Sequence, residues 1–475
     1  MIEPSVPVPS TVDEPVWTVH GLLDAYRRRA VSPVEVIEQQ LALIERTEPT
    51  INAFVSVHAE PALAAARASR ERWASGQPMG DLDGIPVSVK DIVAMVGHPT
   101  SEGSTAGSPT PAVEDAPPVA RLREAGAIFL GKTTTSEFGW KGMTDTPRFG
   151  ITRNPWNTDH TPGGSSGGAG ASMAAGVGAV AHGNDGGGSV RLPSSYCGLV
   201  GLKPTFGRVP QAPNESSFIT LVSNGPLARS VEDAALLLNV FSRPDVRDWY
   251  AVPHDNRDWR VGLNDGLGSP GSGRLRVAFT DVLGGAATRP EVAAVCQAAV
   301  SAIEAAGHTV TPVGTIFDPL RPQLEDYWKA GFAARLRVIP SDQWSDLDPG
   351  FRQLAQEGLG VDAAGVQAGH AARVRLAETM RRFHQSYDVL LTPTMPTVAP
   401  TVDTVYHSAE FDRWADAVPF TVPFNYTGQP AMSIPVGTVA APGGPLPVGL
   451  QIVATHHRDD LVLRVARFIL DLLRS

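Results

Sequence analysis

Apolar positions in the first part of the chain recur at helical spacing. Residues 19–29 keep one apolar face, and Ser32-Pro33-Val34-Glu35 opens a second helix with a capping box and a proline at its first position. That helix is expected to run to about Arg46, and the alanine-rich stretch 60–73 to form a third. The charges on these segments fit a solvated face. The pattern then changes to short apolar runs between helix-like stretches. Residues 85–89 and 127–130 read as strands around a helix at 119–125. A helix at 169–175, stopped by Gly176, precedes a short buried strand at 177–181, and Ser230 is placed to cap a helix at 231–241. Further on, 276–278, 309–312, 389–393, 432–436 and 448–453 read as strands, and 291–306 and 460–473 as helices. This alternation predicts an α/β fold, a sheet covered by helices. Residues 242–272, rich in Asp, Arg, Pro and Gly, read as a long surface connection. Residues 324–377 hold helices with several large aromatics and are expected to shape a substrate entrance.

Composition narrows the classes. With 39 basic and 49 acidic residues the net charge is −10, against a nucleic-acid-binding surface. Two cysteines, Cys197 and Cys296, make no disulfide framework and have no CxxC spacing, which fits a reducing, cytoplasmic setting. No apolar run is long enough to span a bilayer, so no membrane partner is expected. The first dozen residues are rich in Pro and Ser and read as loosely held, and residues 1–10 carry neither a basic stretch nor an apolar run of the signal-peptide kind.

The candidate chemistry gathers in residues 162–201. Two glycine-rich loops, Gly163-Gly164-Ser165-Ser166-Gly167-Gly168 and Asp185-Gly186-Gly187-Gly188-Ser189, each carry serine. Consecutive glycines let several backbone N–H groups converge, which is how a chain builds a pocket for a developing oxyanion. Ser189, ending the second run, is the candidate nucleophile, with the N–H groups of Gly186, Gly187, Gly188 and Ser189 as the oxyanion hole. A serine hydroxyl needs a base to take its proton. Lys90, at the end of an apolar run, is a candidate, because burial disfavours the ammonium form; Ser165 would be the relay between the two. Gly163 to Gly167 also matches GxSxG, but the segment before it, 157–162, is no buried strand, so a nucleophile elbow does not fit. His98, His160 and His182 lack metal-ligand spacing and read as structural, and neither loop ends as a phosphate loop does. Gly139, Trp140 and Met143, beside the long polar connection 142–162, are candidate pocket walls that would otherwise be ordinary packing.

These residues carry a resemblance. The two serine loops, the following Arg191, Pro193, Ser194, Cys197-Gly198, 200–205 and 207–210, and the upstream Val87-Ser88-Val89-Lys90-Asp91 resemble the amidase signature family. Lys90, Ser165 and Ser189 stand 75 and 24 positions apart, as in that family's Lys/Ser/Ser triad. Segments 130–138, 154–156, 225–229 and 449–451 are also similar to the family's. The resemblance implies an amidase signature fold, a mixed central sheet with helices on both faces. It implies one amidase domain over 1–475, with a signature core at 15–240, a variable helical region at 241–385 and a C-terminal part of the core at 386–475. It further implies that Ser165 follows a cis peptide bond, that Ser166, Asp185 and Arg191 orient the loops, and that Cys197 packs as a small buried residue. Where the family often carries threonine or another larger residue, this chain has Gly186.

The implied activity is hydrolysis of amide-type C–N bonds through an acyl-enzyme, with no metal or organic cofactor, by a monomer or homodimer. The substrate is expected to be a small-molecule amide, anilide, ester or carbamate, and residues 140–156 are similar to branches that cleave aryl amides and, in some members, urethane bonds. Two other readings stay open: the glutaminase subunit of a tRNA-dependent amidotransferase, and a non-catalytic binding protein on the same scaffold.

Overall fold

The computed structural model describes residues 16–213, 218, 220–269, 273–319, 323–404 and 417–474; the proline-rich start of the chain lies outside them. The strands that build the main sheet are β1 (Phe54–Val57), β2 (Pro86–Lys90), β3 (Ile128–Thr133), β4 (Val180–Asp185), β5 (Val200–Lys203), β6 (Ser223–Ala228), β7 (Val277–Phe279), β8 (Val310–Pro312), β9 (Val389–Pro393), β10 (Ala431–Val439) and β11 (Leu446–Ala454). They lie in the order β1-β3-β2-β4-β6-β5-β10-β11-β9-β7-β8. The sheet is mixed. β3, β2 and β4 run parallel, as do β9, β7 and β8, and antiparallel pairings join the two blocks through β6, β5, β10 and β11.

Alternation along each strand sends side chains to opposite faces. Val87, Val89, Val180, Val389, Leu391, Met432 and Ile434 face one core. Ala181 and Leu227, and Leu390, Ala431 and Val453, fall into clusters on the other side. The helices follow this division. In chain order they are α1 (Val19–Arg27), α2 (Pro33–Ile51), α3 (Ala59–Ala74), α4 (Pro117–Glu124), α5 (Gly167–Ala174), α6 (Arg191–Cys197), α7 (Val231–Phe241), α8 (Pro290–Ala305), α9 (Gln323–Leu336), α10 (Pro349–Gly358), α11 (Ala363–Ser386), α12 (Val422–Tyr426) and α13 (Asp459–Leu472). α7, α8 and α13 cover the first face, and α5 and α6 the second, with α9 to α11 layered beyond.

Most boundaries follow the sequence pattern. The capping box before α2 is closed in both directions, Glu35 N–H to Ser32 Oγ at 3.3 Å and Ser32 N–H to Glu35 Oε2 at 2.8 Å. The helix carries past Pro49 to Ile51 and stops where Asn52 turns left-handed, φ 50°. Two readings are corrected here. β4 starts at Val180 and not at 177, because Gly178 turns at φ +71° and the Gly178 and Ala179 N–H groups are spent on Gln40 Oε1 and Pro86 O. The polar residues His182 and Asn184 therefore belong to the strand. The stretch after α7 is not all surface: Trp259, Leu263 and Leu267, spaced by four, are buried in the main core.

Candidate active site

The site sits at the carboxyl ends of the parallel strands β2 and β4, where α/β sheets commonly place ligands. Lys90 is the last residue of β2 and Asp185 the last of β4. β2 is buried along its whole length between β3 and β4, so the lysine stem enters a dry interior. Its Nζ donates to Ser165 Oγ at 2.7 Å and to Asn184 Oδ1 at 2.5 Å. Burial pushes the Lys90 amine down to about 7, with Asp185 opposing the shift. The shift favours the neutral amine, which has a lone pair to offer Ser165.

The peptide bond between Gly164 and Ser165 is cis. Ser166 joins the two loops: its N–H donates to Ser189 O at 3.3 Å and its Oγ to Asn184 O at 3.2 Å. Ser189 and Ser165 line the same cavity, of about 400 Å³. Among the described residues no hydrogen bond links the two hydroxyls.

Asp185 organises the second loop. Its carboxylate takes the N–H groups of Gly188 (2.8 Å), Val190 (3.2 Å) and Arg191 (3.4 Å), and is gripped by Arg191 Nε (2.9 Å) and Nη2 (2.8 Å). Burial alone would raise Asp185, but Arg191, Lys203 and Asn425 hold its carboxyl well below the usual range. This bonding corrects the expected oxyanion hole. The Gly188 N–H is turned away onto Asp185, with Gly188 at φ +135° and a Cβ there overlapping Leu192 and Thr421. The N–H groups of Gly186, Gly187 and Ser189 have no acceptor among the described residues, and all three residues line the cavity.

Residues the sequence did not single out complete this support. Asn425 Nδ2 donates to Asp185 O and Oδ1, both at 2.9 Å, and its Oδ1 accepts from Arg191 Nη2 at 2.6 Å. Thr421 Oγ1 donates to Gly187 O at 2.7 Å, and Arg191 Nη1 reaches Thr421 O and Gln451 Oε1 at 2.9 and 2.7 Å. Of these only Gln451 had a signal, lying within the 449–451 segment.

Comparison with known proteins fits this geometry. The model of the Amidase family matches residues 35–463. The chain belongs to the amidase signature family. It is 36% identical over 448 residues to an acylamidase of Rhodococcus erythropolis, covering 92% of this chain and 91% of the relative. A bacterial aryl acylamidase of the same family superposes with a TM-score of 0.87 at 26% identity, covering 96% of each chain. A glutamyl-tRNA(Gln) amidotransferase subunit from Methylococcus capsulatus is 33% identical over 479 residues, covering 94% of this chain and 95% of the relative. As a family member the chain is a hydrolase acting on amides.

The rest of this amidase's cavity departs from the sequence reading in part. Gly139 lines it, and a Cβ there would stand 3.2 Å from Ser165 Oγ. Trp140 and Met143 do not line it. Trp140 is 1% exposed and packs against Gly350 of α10, while the Met143 backbone lies under Gly164. The aromatic wall comes instead from Phe138, Phe218, Trp328, Phe332 and Phe351. Trp328 and Phe332 sit on α9 and Phe351 on α10, within the stretch expected to shape the entrance. The histidines have structural partners: His182 Nε2 with Asn224 Oδ1 at 3.0 Å, His160 Nδ1 with Ala399 O at 2.7 Å, and His98 stacked on His58. Cys197 is buried, its thiol pushed far up by burial. Among the described residues no cluster of His, Cys, Asp and Glu has metal-site form, and no helix is long and apolar enough to cross a membrane.

Proposed function

We propose that this chain, as one amidase domain, cleaves amide-type C–N bonds of small molecules, as amides, anilides or carbamates, through an acyl-enzyme on Ser189. One observation carries the reading: a buried lysine with an amine lowered to about 7 donates to Ser165 Oγ at 2.7 Å, at the head of a cavity that Ser189 and three unpaired N–H groups share. Lys90, neutral, takes the Ser165 proton as Ser165 takes that of Ser189. Ser189 Oγ bonds to the carbonyl carbon, and the carbonyl oxygen becomes an oxyanion held by the N–H groups of Gly186, Gly187 and Ser189. Ser165 returns a proton to the departing nitrogen, recovering its own from Lys90, as the C–N bond breaks. Water then adds to the acyl carbon, losing its proton through the same relay, and the acid leaves as Ser189 recovers a proton.

The names of the relatives, acylamidase and aryl acylamidase, support amides and anilides. Carbamates and esters present the same carbonyl to the same groups. The test is a hydrolysis panel of an aliphatic amide, an anilide, a carbamate and an ester with wild type, Ser189→Ala and Lys90→Ala. Turnover of the nitrogen-linked substrates is expected in the wild type, far less in Lys90→Ala and none in Ser189→Ala. Undiminished turnover in Ser189→Ala would end the reading.

A further inference from the structure

The two ends of the cavity differ in chemistry. Near Ser165 the wall is Gly139 and Ile92, whose Cδ1 would lie 3.3 Å from a Cβ on Gly139. The charged lining residues gather at that end. Glu102 accepts the Phe138 N–H on its carbonyl and pairs with Arg335, whose guanidinium carbon lies 4.5 Å from the Phe138 ring centroid. Lys141, two residues from Gly139, is held by Asp145 and Asp348 at 2.6 and 2.9 Å. The end beyond Gly186 carries no charged side chain: Val222, Phe218 and Trp328 wall it, and the Gln211 amide there is turned onto Val222 O. A Cβ on Gly186 would stand 3.3 Å from Val222 Cγ2 and 3.5 Å from Trp328 Cη2, so the bare glycine leaves the Trp328 ring facing the oxyanion loop. Phe218 packs on Trp328 with ring centroids 4.2 Å apart, and rests on Gly331 one turn along α9.

The reaction geometry assigns these ends. In the tetrahedral intermediate the leaving nitrogen must face Ser165, from which it takes its proton. The oxyanion faces the N–H groups of Gly186, Gly187 and Ser189. The remaining substituent, the acyl group, points away from Ser165 and past the oxyanion loop, toward Val222 and Trp328. We propose that Gly186, Val222, Phe218 and Trp328 form an acyl subsite for large apolar groups of the aryl type, making aryl carboxamides the preferred substrates, with the amine portion at the ionic end. Trp328 is its specificity-determining residue. This inference rests on Ser189 as nucleophile and Ser165 as proton donor, which the controls below test separately.

The experiment uses 4-nitroanilides that share one leaving group and differ in the acyl group: acetyl, butyryl and benzoyl. Wild type is expected to show the highest kcat/KM on the benzoyl compound. Trp328→Ala lowers the benzoyl-to-acetyl ratio of kcat/KM at least tenfold, and Trp328→Phe recovers most of it. Gly186→Ala, whose new methyl would press on Val222 Cγ2 at 3.3 Å and touch Trp328 Cη2 at 3.5 Å, lowers the same ratio by filling the subsite. The ratio is internal to each preparation, so a poorly folded fraction does not move it; should Trp328→Ala yield no folded protein, Trp328→Leu is read in the same way. A ratio within twofold of wild type in the Trp328 variants, or a wild type that prefers acetyl, overturns the subsite. Loss of all turnover in Ser189→Ala beside that result leaves the nucleophile reading standing, whereas full turnover in Ser189→Ala overturns both.

Discussion

At the scale of single residues, the account turns on the protonation of one buried amine. Burial lowers Lys90 to about 7, and in the proposed relay only its neutral form accepts the serine proton. kcat/KM on a neutral amide should therefore rise as pH climbs through about 7 and level off above it. Lys203, also buried and lowered to about 7, donates to Pro204 O and does not line the cavity. A pH–rate profile of Lys203→Met should keep the inflection where the wild type has it. Lys90→Ala should lose on the order of a hundredfold to ten-thousandfold in kcat/KM, the usual worth of general-base catalysis. The Asp185–Arg191 pair makes a different demand. Both side chains are fully buried, and removing one partner leaves an uncompensated charge, so urea unfolding of Asp185→Asn should show a loss of about 3 kcal/mol or more. Lys90, Ser165, Asp185 and Ser189 could be singled out in the sequence because glycine runs, serines and a strand-ending lysine make an unusual local pattern. Thr421 and Asn425 were not, since their contacts cross more than 200 positions of chain and nothing in their own neighbourhood marks them. The turned-away Gly188 was hidden for another reason: a run of three glycines does not say which N–H faces which way, and the carboxylate of Asp185 decides it.

At the scale of elements, the walls of the cavity depend on how α9 and α10 meet. Their backbones touch: a Cβ on Gly358 of α10 would overlap Lys329 O of α9, one residue from Trp328. Gly358→Ala should push the helices apart, costing about 1–3 kcal/mol as overpacking does. Thermal unfolding should show it as a lowered Tm, and the same variant should relax the acyl preference set by Trp328. Sequence pattern located these helices but not the aromatic wall, because aromatics at helical spacing look alike whether they face a core or a cavity. Trp140 shows the converse. It stands one residue from a true lining position, Gly139, and its indole is turned into the packing against α10. β4 runs on past the end of its apolar run for a related reason. Its polar residues, His182 and Asn184, find partners in Asn224 and Lys90 across the sheet, and without those partners the segment reads as loop.

At the scale of the whole molecule, one sheet brings together residues from most of the chain. Lys90 and Ser189 come from the first half, while Thr421, Asn425 and Gln451 brace the loop from the end of the sequence. The relatives include both an acylamidase and a subunit of a glutamyl-tRNA(Gln) amidotransferase. The purified chain, with no other protein present, should hydrolyse simple anilides. Activity that appears only when partner subunits are added would favour the amidotransferase reading. The most direct test of the central claim is covalent labelling with a fluorophosphonate, followed by peptide mapping by mass spectrometry. The account predicts one adduct, on Ser189, forming quickly in the wild type, much more slowly in Lys90→Ala and not at all in Ser189→Ala. An adduct on another residue, or labelling of Ser189 at an unchanged rate without Lys90, would contradict it.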